Sequence, residues 1–367
     1  MIYKLLTISL LFLVTSCQDK PDKAKESTVK DMNGDVSEFA VNFSPLTTIY
    51  KNKMGNEVEA FYDKKFNSKD FSGSFLVAKN GEILYENYSG YAYKEKGDSI
   101  KQNTPLHIAS VSKVITAVTI LKLVDAKKLK LDDLVTSILP EFPHEKTTVR
   151  MLLNHRSGLP HYSRFEVLIK GWSRKPMLSN QDVLDILSKN KLALNTKNDT
   201  HFDYCNTNYA ILALVIEAVT GKSYPLVMQE KIFEPLKMNN SFVIDFNTQK
   251  NDVSQSYKGN YVVHGWDQYD AIYGDKNIYS TPRDLLKFDL ALYSEDFISK
   301  KMKAEMFKGY SYERKGTKNY GLGIRMLEFE TGQHYFFHNG WWHGNTSSYV
   351  TLQKDSVTII AISNKYS

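Results

Sequence analysis

Ser110 and Lys113 stand three residues apart at the head of a long apolar run, Val111 to Val124, in this 367-residue chain. On a helix, residues i and i+3 share one face about 5–6 Å apart at Cβ, so the amine can reach the hydroxyl. A serine in the first turn also faces the positive end of the helix dipole, which favours the anion that develops as it attacks a carbonyl. The pair therefore suits a serine nucleophile with a lysine base beside it. Ser-x-x-Lys occurs again at Ser27/Lys30 and Ser188/Lys191, so spacing alone does not choose. Ser27 lies in a polar stretch, and Ser188 at the polar end of a helix around Val183 to Leu187. Only Ser110 opens a segment whose apolar residues leave a narrow polar face, which requires a buried helix and a fixed nucleophile.

Two later stretches carry complementary groups. Tyr204-Cys205-Asn206 reads as a loop before a helix opened by Asn208, and a tyrosine beside a lysine ammonium can shuttle protons. His338-Asn339-Gly340 reads as the end of a strand, where the glycine allows close backbone approach to a ligand. Tyr85-Glu86-Asn87 repeats the Tyr-x-Asn spacing, but within a strand ahead of Ser110. The chain has two cysteines, Cys17 and Cys205, with no Cys-x-x-Cys pair and no His-Glu-x-x-His, so neither a metal nor another cofactor is expected. Lys and Arg number 47 against 41 Asp and Glu, for a net charge of +6. The charges are interspersed without an aromatic-basic platform, which argues against nucleic acid as a partner.

These groups need a frame. Leu46, Ile49, Tyr50, Met54, Val58, Phe61 and Tyr62 recur at helical spacing over 46–66. Asn80-Gly81 between two apolar runs predicts a hairpin of Gly73 to Lys79 with Glu82 to Tyr88, because both turn positions favour φ > 0. From Ser110 the chain reads as mostly helical to about residue 305, with Gly221 ending a helix from Tyr209 to Thr220. Strands return at Tyr320 to Leu327, Gln333 to His338, Ser347 to Gln353 and Val357 to Ser363. The fold class is α+β, with an antiparallel sheet from both ends of the chain and a mostly helical insertion. Ahead of this lie a short apolar run, Leu5 to Val14, that fits a secretory signal, and a polar tether from Gln18.

Ser-x-x-Lys, Tyr-x-Asn and His-x-Gly, in this order, resemble the motifs of the class C β-lactamase and penicillin-binding-protein family of serine hydrolases, related to Ser-x-x-Lys, Ser-Asp-Asn and Lys-Thr-Gly. Leu152 to Pro160, Asn206 to Leu212, Gly274 to Thr281 and Tyr320 to Gly323 are similar as well. The resemblance covers roughly residues 50–363. Val14-Thr15-Ser16-Cys17 resembles the lipobox of bacterial lipoproteins. Together these imply a signal peptide at 1–16, a tether at 17–45 and one β-lactamase/transpeptidase-like domain at 46–367. Its sheet part would be 46–110 with 315–367, and its helical part 111–314. Relatives normally add a helix after the last strand; it is absent here or lies outside the given sequence.

The resemblance implies an acyl-enzyme on Ser110, with Lys113 and Tyr204 moving the proton. Asn206 would contact the substrate amide and help fix Lys113. His338, in the place usually held by lysine, would line the pocket with Asn339 and Gly340 and help polarise Tyr204 or a substrate carboxylate. The N–H groups of Ser110 and Trp341 would form the oxyanion hole, with the Trp341 side chain narrowing the cleft or offering a stacking face. Cys17 would carry a lipid holding the protein at the bacterial cell envelope, on the periplasmic or surface side of the outer membrane. The substrate would be a small molecule or peptide, a D-alanyl peptide of peptidoglycan or a small ester; β-lactamase activity is an alternative. From another class, the domain could be a non-catalytic peptidoglycan- or ligand-binding module, against which the intact Ser110, Lys113 and Tyr204 speak. Cys205, His107 and His155 read as packing or structural residues, and His343 is open to either a structural or a cleft role.

Overall fold

The computed structural model describes residues 39, 41–66, 70–170 and 175–366. The stretch expected to be a signal peptide, Cys17 and most of the expected tether lie outside the described residues, as does the Ser27/Lys30 pair. Its helices are α1 (Thr48–Lys65), α2 (Ser112–Asp125), α3 (Val149–Leu153), α4 (Phe165–Leu168), α5 (Asn180–Lys189), α6 (Asn206–Thr220), α7 (Tyr224–Met228), α8 (Phe246–Gln249), α9 (Pro282–Ala291) and α10 (Lys300–Met306). The strands are β1 (Gly73–Lys79), β2 (Glu82–Ser89), β3 (Tyr91–Tyr93), β4 (Asp98–Ser99), β5 (Leu106–His107), β6 (Phe242–Val243), β7 (Ile278–Ser280), β8 (Lys318–Tyr320), β9 (Arg325–Glu328), β10 (His334–Trp342), β11 (Asn345–Leu352) and β12 (Val357–Ser363).

The main sheet runs β2-β1-β12-β11-β10-β9-β8 and is antiparallel throughout, so both ends of the chain build it, as the patterning predicts. Asn80 (φ 50°) and Gly81 (φ 77°) make the hairpin turn between β1 and β2. Alternation sorts β1 between two cores. Phe75 and Val77 pack with Val58 and Tyr62 of α1 on one face, while Leu76 and Ala78 join the larger core with α2, α6 and α9 on the other. Within α2 every residue from Ser112 to Leu121 is buried. Full burial of side chains such as Ile115, Val118 and Leu121 stabilises by about 1.5–3 kcal/mol each, so the sheet and its surrounding helices clamp this helix.

Several boundaries differ from the sequence reading. Ser110 is not in α2 but in a 3-10 turn, Ala109–Val111, that leads into it. Asn206, not Asn208, opens α6, with Cys205 as its cap. Gly321 to Ile324 interrupt the strand expected over Tyr320 to Leu327, leaving β8 and β9. β10 continues to Trp342, which puts His338 in mid-strand. A small sheet, β5-β7-β6, also ties the segment just ahead of Ser110 to the helical part, and its strands of two and three residues are too short to leave a period-2 pattern. Among the described residues no single helix is long and apolar enough to cross a membrane.

Gly340 brings β10 against the Ser110 turn. A Cβ there would lie 2.3 Å from Ser347 Oγ, 2.6 Å from the Ile108 carbonyl oxygen and 2.9 Å from Ala109 Cβ, all well inside van der Waals contact. Gly340→Ala is expected to destabilise by about 1–3 kcal/mol, as overpacking does. Gly265→Ala, with open space around it, should change little. Urea unfolding of both variants is the check, and equal midpoints would contradict this packing.

Candidate active site

Ser110 follows a residue that is itself unusual. Ala109 has φ 46°, a left-handed conformation that an alanine adopts only when its surroundings impose it. The surroundings do so from three sides. The Ala109 N–H donates to His107 Nδ1 at 3.2 Å. Ile108 N–H donates to the Ile278 carbonyl of β7 at 3.0 Å, and Ser347 Oγ of β11 donates to the Ile108 carbonyl at 2.6 Å. His107 Nε2 in turn meets Asn277 Oδ1 at 3.1 Å, and the Asn277 amide donates to the Asp270 and Ile272 carbonyls at 2.6 and 2.8 Å. With Nδ1 accepting and Nε2 donating, His107 must be neutral.

Lys113 Nζ donates to Ser110 Oγ at 3.0 Å and to the Asp275 backbone carbonyl at 2.8 Å. Its side chain is fully buried, and the ammonium lies 5.3 Å from the centre of the Tyr204 ring and 5.6 Å from that of Tyr209. The structure thus brings Ser110, Lys113 and Tyr204 together. By contrast, Ser188 lies at the end of α5 and Lys191 beyond its C-cap.

Asn206 does not hold Lys113, contrary to the expectation; the Asp275 carbonyl does. Instead the Asn206 amide reaches the Tyr162 hydroxyl at 3.4 Å, and its Oδ1 is buried with no hydrogen-bond partner among the described residues. A buried acceptor left open in this way suits an N–H brought by a ligand. Tyr162 forms a second cluster behind it, donating to Asp275 Oδ2 at 2.8 Å and accepting from Lys276 Nζ at 3.0 Å. Burial, then the Asp275 carboxylate, holds the Tyr162 phenol well above its ordinary value.

His338 also departs from its expected role. It is fully buried, Nε2 meets the Tyr320 hydroxyl at 3.1 Å and Nδ1 meets the Asn339 carbonyl at 2.9 Å. A carbonyl only accepts, so Nδ1 carries the proton and Nε2 accepts from Tyr320. Burial first, then the positive charges of Arg325 and Lys113, pushes the imidazole well below its usual value. A neutral ring with both nitrogens occupied does not replace a lysine, and its centre is 6.1 Å from that of Tyr204. Besides Lys113, a second cation reaches Tyr204 from the next strand, the Arg325 guanidinium lying 4.6 Å from the centre of its ring.

Asn339 and Trp341 lie on the other face of β10 from His338 and Gly340, as strand alternation requires. Asn339 Oδ1 accepts from Ser348 Oγ of the neighbouring strand at 3.0 Å, and Trp341 is 62% exposed. Beyond Phe337, where pairing with β9 ends, the free edge of β10 passes the Ser110 turn, so this stretch offers backbone rather than these side chains. Cys205 is buried, and burial pushes its thiol up to about 11, which fits packing. His155 accepts from the Cys205 N–H at 3.2 Å and meets Asn208 Nδ2 at 3.0 Å, a structural role as read. His343 pairs with Asp270, at 3.0 Å and 3.1 Å from its two oxygens. Tyr162, Asp275, Lys276, Tyr320 and Arg325 escaped the sequence reading. Asp275-Lys276 and Tyr320 stood in stretches with family likeness, but nothing in their spacing marked a role.

Burial pushes His107 down to about 4, against 6.5 for a free imidazole, although the Asn277 hydrogen bond pulls the other way. Between those values the unfolded chain takes up a proton that the folded chain excludes. The stability associated with neutral His107 is therefore complete above pH 6.5 and falls with pH through that window, by about 1.4 kcal/mol per unit for a single site. Urea midpoints measured from pH 7 to pH 4 should drop, and His107→Gln should flatten part of the slope. An unchanged slope in that variant would remove His107 from this account.

Residues 64–367 match the Beta-lactamase family. The chain is 30% identical over 334 residues to penicillin-binding protein 4* of Bacillus subtilis (strain 168), covering 86% of this chain and 73% of that protein. It is 27% identical over 332 residues to the teichoic acid D-alanine hydrolase of Staphylococcus aureus, covering 87% and 78%. Among solved structures, the D-amino acid amidase from Ochrobactrum anthropi SV3 superposes with a TM-score of 0.69 at 25% identity, over 85% of this chain and 91% of that one. With the matched region taking in the whole sheet and the helices around Ser110, this chain belongs to the Beta-lactamase family of serine hydrolases.

Proposed function

We propose that Ser110 is the nucleophile of an exported, lipid-anchored hydrolase that cleaves D-alanyl esters or amides through an acyl-enzyme. The observation that carries this reading is the 3.0 Å contact between Lys113 Nζ and Ser110 Oγ on a turn fixed from three sides. Ser110 Oγ attacks the substrate carbonyl as Lys113, which must first give up one ammonium proton to act as the neutral amine, receives the serine proton with Tyr204 beside it. The carbonyl oxygen gains charge between the N–H groups of Ser110 and Trp341, and losing one such donor typically costs about 10²–10³ in rate. The proton returns to the leaving alcohol or amine, and water then cleaves the Ser110 ester by the reverse route. Asn206 Oδ1, buried and unpartnered, accepts an N–H on the acyl side.

The D-alanyl preference is supported by the teichoic acid D-alanine hydrolase and the D-amino acid amidase, two relatives whose names carry D-configured amino acids. Neutral, doubly bonded His338 leaves no charged side chain in the usual lysine position, which favours esters and amides over β-lactams. Export and anchoring at the cell envelope, with peptidoglycan within reach, are supported by the apolar run Leu5 to Val14 followed by Cys17.

A fluorophosphonate probe should label the protein, and Ser110→Ala should abolish labelling; a labelled mutant would move the nucleophile elsewhere. Lys113→Ala should lower turnover at least about 10²-fold. Against a D-Ala-D-Ala peptide, a D-alanyl p-nitrophenyl ester and nitrocefin, turnover should favour the first two, and a preference for nitrocefin would reverse the substrate reading. Separately, Cys17→Ala should release the protein from membranes in cell fractionation, and retention there would refute the lipid anchor.

A further inference from the structure

A cavity of about 270 Å³ opens where β10 ends. Its lining includes Lys96, Lys250, His264 and His343, with Tyr93 and Trp266 as aromatic walls, and contains no carboxylate. The two imidazoles stack with ring centres 5.4 Å apart and planes 24° from parallel. Neither lysine has a carboxylate partner among the described residues; Lys96 Nζ lies 4.5 Å from the centre of the Tyr93 ring and Lys250 Nζ 5.5 Å from that of Phe246. Both lysines are exposed, and both line the same cavity.

The cavity is built rather than incidental. Its floor is pinned, because the Tyr93 hydroxyl donates to the Asn251 carbonyl at 3.2 Å and the Val253 carbonyl at 2.5 Å, and the Gly344 N–H donates to Ser256 Oγ at 2.8 Å. His343 is oriented by the Asp270 carboxylate, which also accepts the Trp342 indole N–H at 2.6 Å. That indole faces the nucleophile cluster: Lys276 Nζ lies 4.5 Å from the centre of the Trp342 ring and donates to Tyr162, which contacts Asn206. His343 comes three residues after Gly340, the residue pressed on the Ser110 turn, and at roughly 3.3 Å per residue that is about 10 Å. A substrate held at Ser110 therefore reaches the cavity with a short extension.

We infer that this cavity is a subsite for an anionic group, a carboxylate or a phosphate, carried by the substrate about 10 Å from its scissile carbonyl. The Lys96 and Lys250 ammonium groups suit either oxyanion, the Asp270 carboxylate that bonds His343 being already answered by that imidazole, the Trp342 indole and the Asp267 N–H, while the aromatic walls accept the chain that links it to the reacting carbonyl. Asp270, Asp267 and His343 also bring ligand-type atoms within 4.8 Å of one another, but the Asp270 oxygens are already taken by His343, Trp342 and the Asp267 N–H. A cation would have to displace all three contacts.

This inference rests on the reading of Ser110 as nucleophile, and two measurements keep them apart. In the first, the full-length Ser110→Ala protein, in detergent, is titrated with inorganic phosphate and, separately, with succinate. Saturable binding of at least one is expected, weakened about tenfold or more when Lys96→Gln and Lys250→Gln are added, since charge-assisted contacts carry it. The anion that binds identifies the source. No saturable binding, or binding that both substitutions leave unchanged, overturns the subsite regardless of catalysis. In the second, wild type is given p-nitrophenyl esters of D-alanine N-acylated with a neutral hexanoyl chain, or with the same chain ending in a carboxylate or a phosphonate. An anionic ester should show a KM about tenfold lower at equal kcat, and the double variant should erase the difference without touching the neutral ester. Hydrolysis of all three esters with the same KM rejects the subsite while leaving Ser110 in place. Failure to hydrolyse any of them, with anion binding intact, rejects the hydrolase reading instead.

Discussion

A lysine ammonium taken wholly out of water must have its three donors answered, and the centre of this protein is organised by that requirement. Lys113 meets it with Ser110 Oγ, the Asp275 carbonyl and the faces of Tyr204 and Tyr209. Each partner comes from a different part of the chain. The serine sits on the turn before α2, the carbonyl lies in the loop that leads into β7, and the tyrosines flank the start of α6. Moving any of these elements strands a buried charge, so the demand that holds the amine against the serine also fixes how the sheet, α2 and α6 meet. The contact useful for chemistry is thus one of the contacts that the fold cannot release cheaply.

The turn carrying Ser110 needs equal restraint, because Ala109 is held at φ 46°. Its restraint comes through groups that must stay neutral. His107 serves as an acceptor for the Ala109 N–H only while unprotonated, and burial keeps it so. His338 follows the same logic across the cleft, where burial and the nearby charges of Arg325 and Lys113 exclude a third positive charge. A positive charge stands instead on β9, where the Arg325 guanidinium lies on the Tyr204 ring. The charge is thus one strand away from position 338, and β10 itself carries a neutral ring there.

What the sequence made legible were features encoded locally. The Asn80-Gly81 hairpin, the apolar face of α1 through Met54, Val58 and Tyr62, the glycine after α6 and the closing strands all follow from periodicity or a required φ. Ser110 and Lys113 were legible because a helical spacing and a buried context coincide within a few residues. The errors are equally physical. The 3-10 turn at Ser110 arises from hydrogen bonds to Ile278 and Ser347, far along the chain, and leaves no mark on its own residues. The expectation that Asn206 holds Lys113 failed because a backbone carbonyl took the place of a side chain, and every residue type has one. His338 was misjudged because tautomer and charge depend on Tyr320 and Arg325, which only folding brings near.

The residues that escaped detection share a property that explains why. Tyr162, Asp275 and Lys276 act as a cluster, with the phenol bonded to Asp275 Oδ2 and to Lys276 Nζ, and the first member is more than a hundred positions from the other two. Asp275 and Lys276 are adjacent and opposite in charge, a pattern that on a surface would mean nothing. Buried, the ion pair must be bridged, and Tyr162 bridges it while presenting its oxygen to Asn206. The Asp275 backbone meanwhile anchors Lys113. One residue therefore links the two clusters, its side chain serving the Asn206 side of the cleft and its carbonyl the Lys113 amine. Because those contacts use different atoms, substitution of the Asp275 side chain leaves the Lys113 anchor available and isolates the contribution of the Tyr162 cluster from that of Lys113.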